Sequence, residues 1–404
     1  MKSWIRPEVP RLTGQGPIPR IFDTPSGAVI ETRPTAVASL YVCGITPYDA
    51  THIGHAATYL AYDTLIRLWL DAGFDVSYVQ NVTDVDDPLL DRAAATGVDW
   101  RELAASQVDL FRSDMRSLCV IPPDHFVAVT EMVGPIASAV ERLLDTHIGY
   151  RLGGDVYFDS AAAAAASDWH IGQESGLDRE SMLELSAQRG GDPQRPGKRD
   201  PLDPVLWLGA RDGQPSWPTV LGEGRPGWHI ECSVIAHEFL DLPITVNGGG
   251  IDLAFPHHEF TAGHTAALTG DPHALVWSHA ALVGYQGEKM SKSLGNLVLV
   301  SQLRQSGFDP IAIRLSILEH HYRSGWDWTK SSMATGAARL ESWRDWAATG
   351  IPGQGSLAED LRAALANDLD TPTALAIVDS HVSTGQPPAG DDLDAIEALL
   401  GVRL

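Results

Sequence analysis

Two short runs in this sequence combine residue types that handle phosphate. His52-Ile53-Gly54-His55 stands where a turn enters a stretch of helical apolar spacing. A helix N-terminus offers backbone N–H groups and the positive end of the helix dipole to an anion. The two imidazoles add donors, and Gly54 leaves room for a flat base. Taken alone, the run also reads as a pair of capping or surface histidines. Lys289-Met290-Ser291-Lys292-Ser293 lies on a polar loop after an apolar strand, with Gly284 and Gly287 before it and Gly295 behind. Two lysines there can stabilise charge developing on departing pyrophosphate. The plain alternative is a solvated basic loop.

A second set is soft. Cys43 ends a predicted strand, Cys232 falls at a predicted helix start, and His257 opens another helix after a strand. Two thiolates and one imidazole suit zinc, and a fourth tetrahedral position left open marks a functional rather than a structural site. Residues so scattered read as readily as two buried cysteines and a core histidine.

The elements that must position these residues follow from periodicity. Residues 38–43 form a short apolar strand, and 44–47 supply a turn. From 55 to 70, Tyr59, Leu60, Ile66, Trp69 and Leu70 recur at helical spacing, Gly73 closes the helix, and 76–82 is the next strand. Such a βαβ unit implies a parallel sheet with its ligand beyond the strand carboxyl ends. Residues 100–144 read as helical. The segment 153–202, with its alanine run and Gln188-Arg189-Gly190-Gly191-Asp192-Pro193, reads as an insertion rather than sheet core. The βα pattern resumes with a strand at 243–247, the triple glycine 248–250, a helix from Pro256 and a strand over 276–283. Asp309-Pro310 caps the start of a C-terminal part that reads as helical throughout, with a break at 385–390 before a last helix. The first thirty or so residues read as an irregular arm.

Composition sets outer bounds. The chain has 404 residues, so two or three domains are expected. No apolar run approaches the ~18 residues of a membrane span, and the N-terminus lacks a signal-peptide pattern, so the expected location is the cytoplasm. Three separated cysteines do not make a disulfide framework. A net charge of −23 disfavours broad attraction to a phosphate backbone. Residues 330–404 carry five basic and eleven acidic side chains, so that part is no platform for nucleic acid. Asp84, Asp86 and Asp87 read as a turn-and-cap cluster, and Cys119 as a buried thiol.

In this order the histidine and lysine runs resemble the signature pair of class I aminoacyl-tRNA synthetases. Four longer runs, Cys43-Gly44-Ile45-Thr46-Pro47-Tyr48-Asp49, Asn81-Val82-Thr83-Asp84-Val85-Asp86-Asp87, Gly227-Trp228-His229-Ile230-Glu231-Cys232-Ser233 and Phe255-Pro256-His257-His258-Glu259, are similar to cysteinyl-tRNA synthetases. The resemblance covers residues 36–330. It implies an α/β fold: a class I aminoacyl-tRNA synthetase-like Rossmann catalytic domain with an insertion and a C-terminal helical domain. The implied division is an N-terminal arm at 1–35, catalytic halves at 36–145 and 206–300, the insertion at 146–205 and the helical domain at 301–404.

The resemblance also implies one Zn²⁺ on Cys43, Cys232 and His257, which would separate cysteine from serine far better than pocket shape can. Steric or apolar discrimination over one small group is worth only about 1–3 kcal/mol. The implied adenylate site takes Cys43, Gly44, Ile45, Thr46, Thr58, Asn81, Val82, Thr83, Trp228, Gly250, Ile251, Asp252 and Val283. Trp228, one helical turn before Cys232, is expected to wall the cysteine pocket. His52, His55, Lys289 and Lys292 are the implied catalytic groups, acting on ATP that carries Mg²⁺. One position departs from the synthetase pattern: four residues after His257, where a further glutamate ligand is expected, stands Thr261. Three protein ligands, completed by substrate thiolate, are therefore expected.

The acceptor is indicated by the insertion. Gln188-Arg189-Gly190-Gly191-Asp192-Pro193 resembles the Glu-Arg-Gly-Gly-Asp-Pro signature of the cysteine ligases of mycothiol biosynthesis, with Gln188 in place of the glutamate. That family implies L-cysteine, ATP and glucosaminyl-inositol as substrates, AMP and pyrophosphate as products, and no nucleic-acid or membrane partner. A monomer is expected. The alternative is a cysteinyl-tRNA synthetase with a shortened C-terminal part.

Overall fold

The computed structural model describes residues 1–49, 51–290 and 295–404, and of Lys289 the backbone alone. The arm is more ordered than its composition predicts. Strands β1 (Arg20–Asp23) and β2 (Ala28–Glu31) pair as an antiparallel hairpin. Ahead of them, Trp4 is buried edge-on to Phe111 and Phe126.

The βαβ unit forms as expected, with longer elements: β3 (Val37–Ile45), α1 (Ile53–Asp71) and β4 (Asp75–Val82). Helix α1 is buried on nearly every face, as befits a helix enclosed on all sides. Its two inward charges are satisfied rather than orphaned. Asp63 accepts from Arg67 (2.8 Å) and Arg314, and the two guanidiniums also cap carbonyls of residues 397–400.

The helical reading of 100–144 needs correction. After α2 (Asp87–Thr96), helix α3 ends at Ser117 (Trp100–Ser117). Cys119 turns into the left-handed region (φ 57°), and Pro122-Pro123 cannot continue a helix. The apolar run behind them becomes β5 (His125–Ala128), a parallel edge strand on β4, before α4 (Val133–Asp145).

The chain then leaves the parallel sheet. Strands β6 (Gly149–Leu152) and β7 (Asp155–Phe158) precede helices α5 (Ser160–Ala166) and α6 (Arg179–Gln188). Strands β8 (Val205–Gly209), β9 (Trp217–Thr219) and β10 (Gly222–Pro226) complete an antiparallel sheet of order β6-β7-β8-β10-β9.

Helix α7 (Trp228–Phe239) leads back to β11 (Ile244–Gly250). Here too the reading is corrected, because the triple glycine lies inside the strand. A Cβ on Gly248 would sit 2.4 Å from the Tyr62 ring, so glycine lets α1 press onto the sheet. A turn over 251–258 precedes α8 (Glu259–Thr269) and β12 (Ala274–Ala280). The parallel sheet has the order β12-β11-β3-β4-β5.

Strands β13 (Val283–Tyr285) and β14 (Glu288–Lys289) follow. Helices α9 (Val300–Gln305) and α10 (Pro310–Leu318) come next, the latter capped by Asp309 as predicted. The remainder is not purely helical. Strand β15 (Trp326–Trp328) pairs in parallel with β13. Helices α11 (Lys330–Ala347), α12 (Leu357–Leu365), α13 (Thr371–Ser383) and α14 (Gly390–Leu400) then bury their apolar sides against α1 and α10. Two apolar cores result. One joins α1 and the C-terminal helices; the other joins the far face of the parallel sheet to the antiparallel one. Among the described residues no helix is long and apolar enough to cross a membrane.

Candidate active site and metal centre

The carboxyl ends of β3 and β11 part above a cavity of about 390 Å³. Register breaks between Val42 and Ile45, and Gly44 makes the close approach there possible. A Cβ on Gly44 would meet the Asn81 carbonyl oxygen at 1.6 Å. The Gly44 N–H instead donates to Asn81 Oδ1 (2.8 Å), Asn81 Nδ2 donates to Thr83 Oγ1 (3.2 Å), and Thr83 Oγ1 donates to Glu231 (3.0 Å).

The three predicted soft ligands converge at one end. Cys43 Sγ and Cys232 Sγ are 3.7 Å apart, His257 Nε2 is 3.1 Å from Cys232 Sγ, and all three atoms lie within 4.8 Å of one another. Two thiolates on tetrahedral zinc, each at roughly 2.3 Å, would be separated by roughly 3.8 Å. The donor set therefore fits such an ion. All three side chains are buried, yet Cys43 reaches the cavity wall, so a fourth ligand has access from the cavity. The Thr261 hydroxyl donates to the His257 carbonyl (2.8 Å).

Neutral imidazoles surround the cluster. His229 Nδ1 is 3.1 Å from His257 Nδ1, and His258 Nε2 is 3.1 Å from Cys43 Sγ. His258 Nδ1 in turn faces His279 Nε2 (2.8 Å), whose other nitrogen faces the Thr24 hydroxyl (2.6 Å). Burial, then the charges of nearby histidines, hold His229 and His258 well below the usual imidazole range. Burial and the hydrogen bond to Cys232 push the Cys43 thiol up. In Cys232 the same burial is outweighed by the Cys43 hydrogen bond and the His257 charge, so its thiol falls well below the ordinary value. Trp228 stacks on His257 with centroids 4.5 Å apart and lines the cavity, as a wall of the thiol end.

The opposite end is the start of α1. His52 is the helix N-cap, its Nδ1 accepting from the His55 N–H (3.3 Å), and the two rings stack at 3.7 Å. A Cβ on Gly54 would lie 2.9 Å from the His52 ring. Backbone bonds Ile53 N–H to Val298 (2.9 Å) and Val300 N–H to Thr51 (3.0 Å) tie this turn to the chain just after the lysine run. Lys292 and the Lys289 side chain lie outside the described residues.

Cys43, Gly44, Ile45, Thr46, Thr58, Trp228, Gly250, Asp252 and Val283 line the cavity with His52 and His55. Asn81, Val82, Thr83 and Ile251 are not in its wall. The first three stand behind β3, and Ile251 is exposed at the rim turn. Tyr48, Asp49, Tyr59, Leu253 and Met290 also line the cavity; the sequence showed all but Leu253 only as members of a run or of the helical spacing, not as site residues. His258 and Glu231 were visible only as neighbours of predicted ligands. Asp86 caps α2 as expected, whereas Asp84 accepts from Thr130 and Asp87 pairs with Arg225, contacts with residues distant in sequence rather than a turn or cap. Cys119 is half-buried rather than buried.

Residues 30–338 match the family described as tRNA synthetases class I (C) catalytic domain. The chain is 56% identical to an L-cysteine:1D-myo-inositol 2-amino-2-deoxy-alpha-D-glucopyranoside ligase of Clavibacter michiganensis subsp. michiganensis, over 100% of this chain and 99% of that protein. It is 55% and 53% identical to proteins of the same name from Arthrobacter sp. (strain FB24) and Streptomyces coelicolor, over 100% of each chain. Among solved structures it resembles Mycobacterium tuberculosis methionyl-tRNA synthetase in complex with methionyl-adenylate. The TM-score is 0.60 at 16% identity, covering 91% of this chain and 89% of that one. A leucyl enzyme, the LeuRS-tRNA-LeuAMS complex of Agrobacterium radiobacter K84 agnB2, gives 0.60 at 13% identity, over 91% and 83%. These two likenesses concern the fold.

Proposed function

The chain belongs to the family of L-cysteine:1D-myo-inositol 2-amino-2-deoxy-alpha-D-glucopyranoside ligases, built on a class I (C) tRNA-synthetase catalytic domain, and on that premise we propose that it activates L-cysteine with ATP and transfers it to the amine of glucosaminyl-inositol. The observation that carries this reading is the convergence of Cys43, Cys232 and His257 at one end of a cavity whose other end is the His52–His55 helix start.

In the first half-reaction the cysteine carboxylate attacks the α-phosphorus of ATP, and pyrophosphate leaves. Zinc bound at the cluster would supply a position that takes a thiolate and refuses a hydroxyl. Trp228 closes the side of that pocket. His52 and His55, with the positive end of the α1 dipole, hold the phosphates; Lys289 and Lys292 balance the charge growing on pyrophosphate, and Mg²⁺ would accompany ATP. Asn81 and Thr83 act from behind, holding the Gly44 turn open for the nucleotide. In the second half-reaction the neutral amine attacks the adenylate carbonyl. The C–N bond forms as the C–O bond to AMP breaks, and a base or the departing phosphate takes the amine proton. The enzyme works as a cytoplasmic monomer without nucleic acid.

The test is ATP-dependent transfer of labelled cysteine, with glucosaminyl-inositol and tRNA offered side by side to the purified protein. Ligation to the amino sugar, with AMP and pyrophosphate released, is the expected result. Charging of tRNA at a comparable rate would overturn the choice of acceptor, and absence of cysteine-dependent pyrophosphate exchange would overturn the activation step.

A further inference from the structure

The Arg189-Gly190-Gly191-Asp192 run lines no part of the cavity, yet each residue has a defined task. Helix α6 ends at Gln188, Gly190 takes φ +84°, and the Gly191 N–H returns to the Ser186 carbonyl (2.8 Å). A Cβ on Gly191 would lie 2.7 Å from that same oxygen, so the reversal needs glycine at both positions. Asp192 moors the turn to the antiparallel sheet, accepting from the Tyr157 hydroxyl and from Lys198 Nζ (2.9 Å).

Arg189 reaches the other way. Its Nη1 donates to the carbonyl oxygens of Asp252 (2.5 Å) and Phe255. Both belong to the turn over 251–258, where Phe255 adopts an extended backbone (φ −139°, ψ 137°) between helical neighbours. That kink interrupts the helical ladder and leaves carbonyls that need an outside donor. The same turn places Asp252 and Leu253 in the cavity wall and carries His257 two residues beyond Phe255. A guanidinium is always charged and donates in a fixed plane, so it holds two carbonyls in one geometry.

We propose that Arg189 is a positioning residue of the thiol end: the glycine-built turn of the insertion aims it at the 252–255 carbonyls, and this sets where the His257 imidazole stands relative to Cys43 and Cys232. The inserted run is thereby a strut from the antiparallel sheet to the metal-ligand turn. The proposal rests on the reading of Cys43, Cys232 and His257 as the seat of metal and substrate thiol.

Arg189→Ala and Arg189→Lys in the full chain test it. In metal-stripped protein, amide hydrogen exchange over residues 251–258 should be at least about tenfold faster in the alanine variant, as expected when the charge-assisted bonds to two carbonyls are lost, with exchange elsewhere unchanged. Against a chromophoric chelator, its zinc affinity should fall about tenfold, at the low end for residues that support a ligand from behind. The KM for cysteine in pyrophosphate exchange should rise while the KM for ATP stays at the wild-type value. The lysine variant, which keeps a cationic donor but not the planar fork, should recover only part of each effect. Unchanged exchange at 251–258 with unchanged zinc affinity would overturn the proposal. So would exchange accelerated evenly along the chain with both KM values shifted together, since that marks general loss of stability. Wild-type protein that binds no zinc would instead count against the proposed metal site, and the exchange measurement would still decide the role of Arg189.

Discussion

The two ends of the cavity are made of different materials. The thiol end is side chains: Cys43 from β3, Cys232 from α7 and His257 from the turn before α8, packed against His229 and His258. The end proposed for phosphate is the start of α1, where the His52 and His55 rings stack and backbone pairing with residues 298–300 fixes the turn. The contrast follows from the two tasks. Telling sulfur from oxygen needs soft atoms fixed to a few tenths of an ångström, and burial under packed imidazoles provides that. Holding a triphosphate, the task proposed for the other end, needs a helix dipole together with donor and cationic side chains, the roles given to His52, His55 and the lysine run.

If the ends are separable in this way, lesions at each should leave different signatures. The largest effect is expected from Cys232→Ser or His257→Ala. Either should abolish zinc retention and lower cysteine-dependent pyrophosphate exchange by more than about 10²-fold, beyond what loss of a ligand's supporting neighbours costs. Metal analysis beside the exchange assay checks both. Lys292→Ala should lower the exchange rate by about 10²–10³-fold, the scale of removing one transition-state donor. Its zinc content should equal that of wild type; a variant that also lost zinc would break the separation. Trp228→Ala should raise the KM for cysteine about five- to tenfold, as fits loss of one stacked ring pair, and leave the ATP dependence alone.

The smallest effect is on stability and lies outside both ends. Burial, then the carboxylates of Glu259 and Asp23, push Glu174 up to about 8. The folded protein therefore favours its neutral form. That contribution is complete below the unfolded value of 4.5 and is lost as pH rises through 8. Glu174→Gln cannot ionise, so its Tm should match wild type near about pH 4 and exceed it by a few degrees at about pH 8. A Tm difference that does not change with pH would contradict this.

Much of the fold was legible because it rests on local periodicity. The β3–α1–β4 unit and the Asp309-Pro310 cap were read within a few residues of their observed limits, since spacing, Gly73 and a cap residue are local signals. The readings that needed correction involve partners far away in sequence. Strand β5 forms because β4 offers an open edge, β15 because β13 does, and the triple glycine extends β11 because β12 pairs with it as far as Gly250. None of these partners can be read from the segment itself.

The same division runs through the site. Residue chemistry by itself left two thiols and an imidazole open between a metal site and core residues, and His52 and His55 open between a phosphate site and a capping pair; the resemblance of the longer runs chose between them. Only the tertiary structure decided that Cys43, Cys232 and His257 lie within 4.8 Å of one another, that Thr261 is occupied by a backbone carbonyl, and that Asn81 and Thr83 stand behind the wall. Coordination depends on distances between atoms, and for residues 189 and 25 positions apart those distances are set by how sheet and helices pack, not by the spacing along the chain.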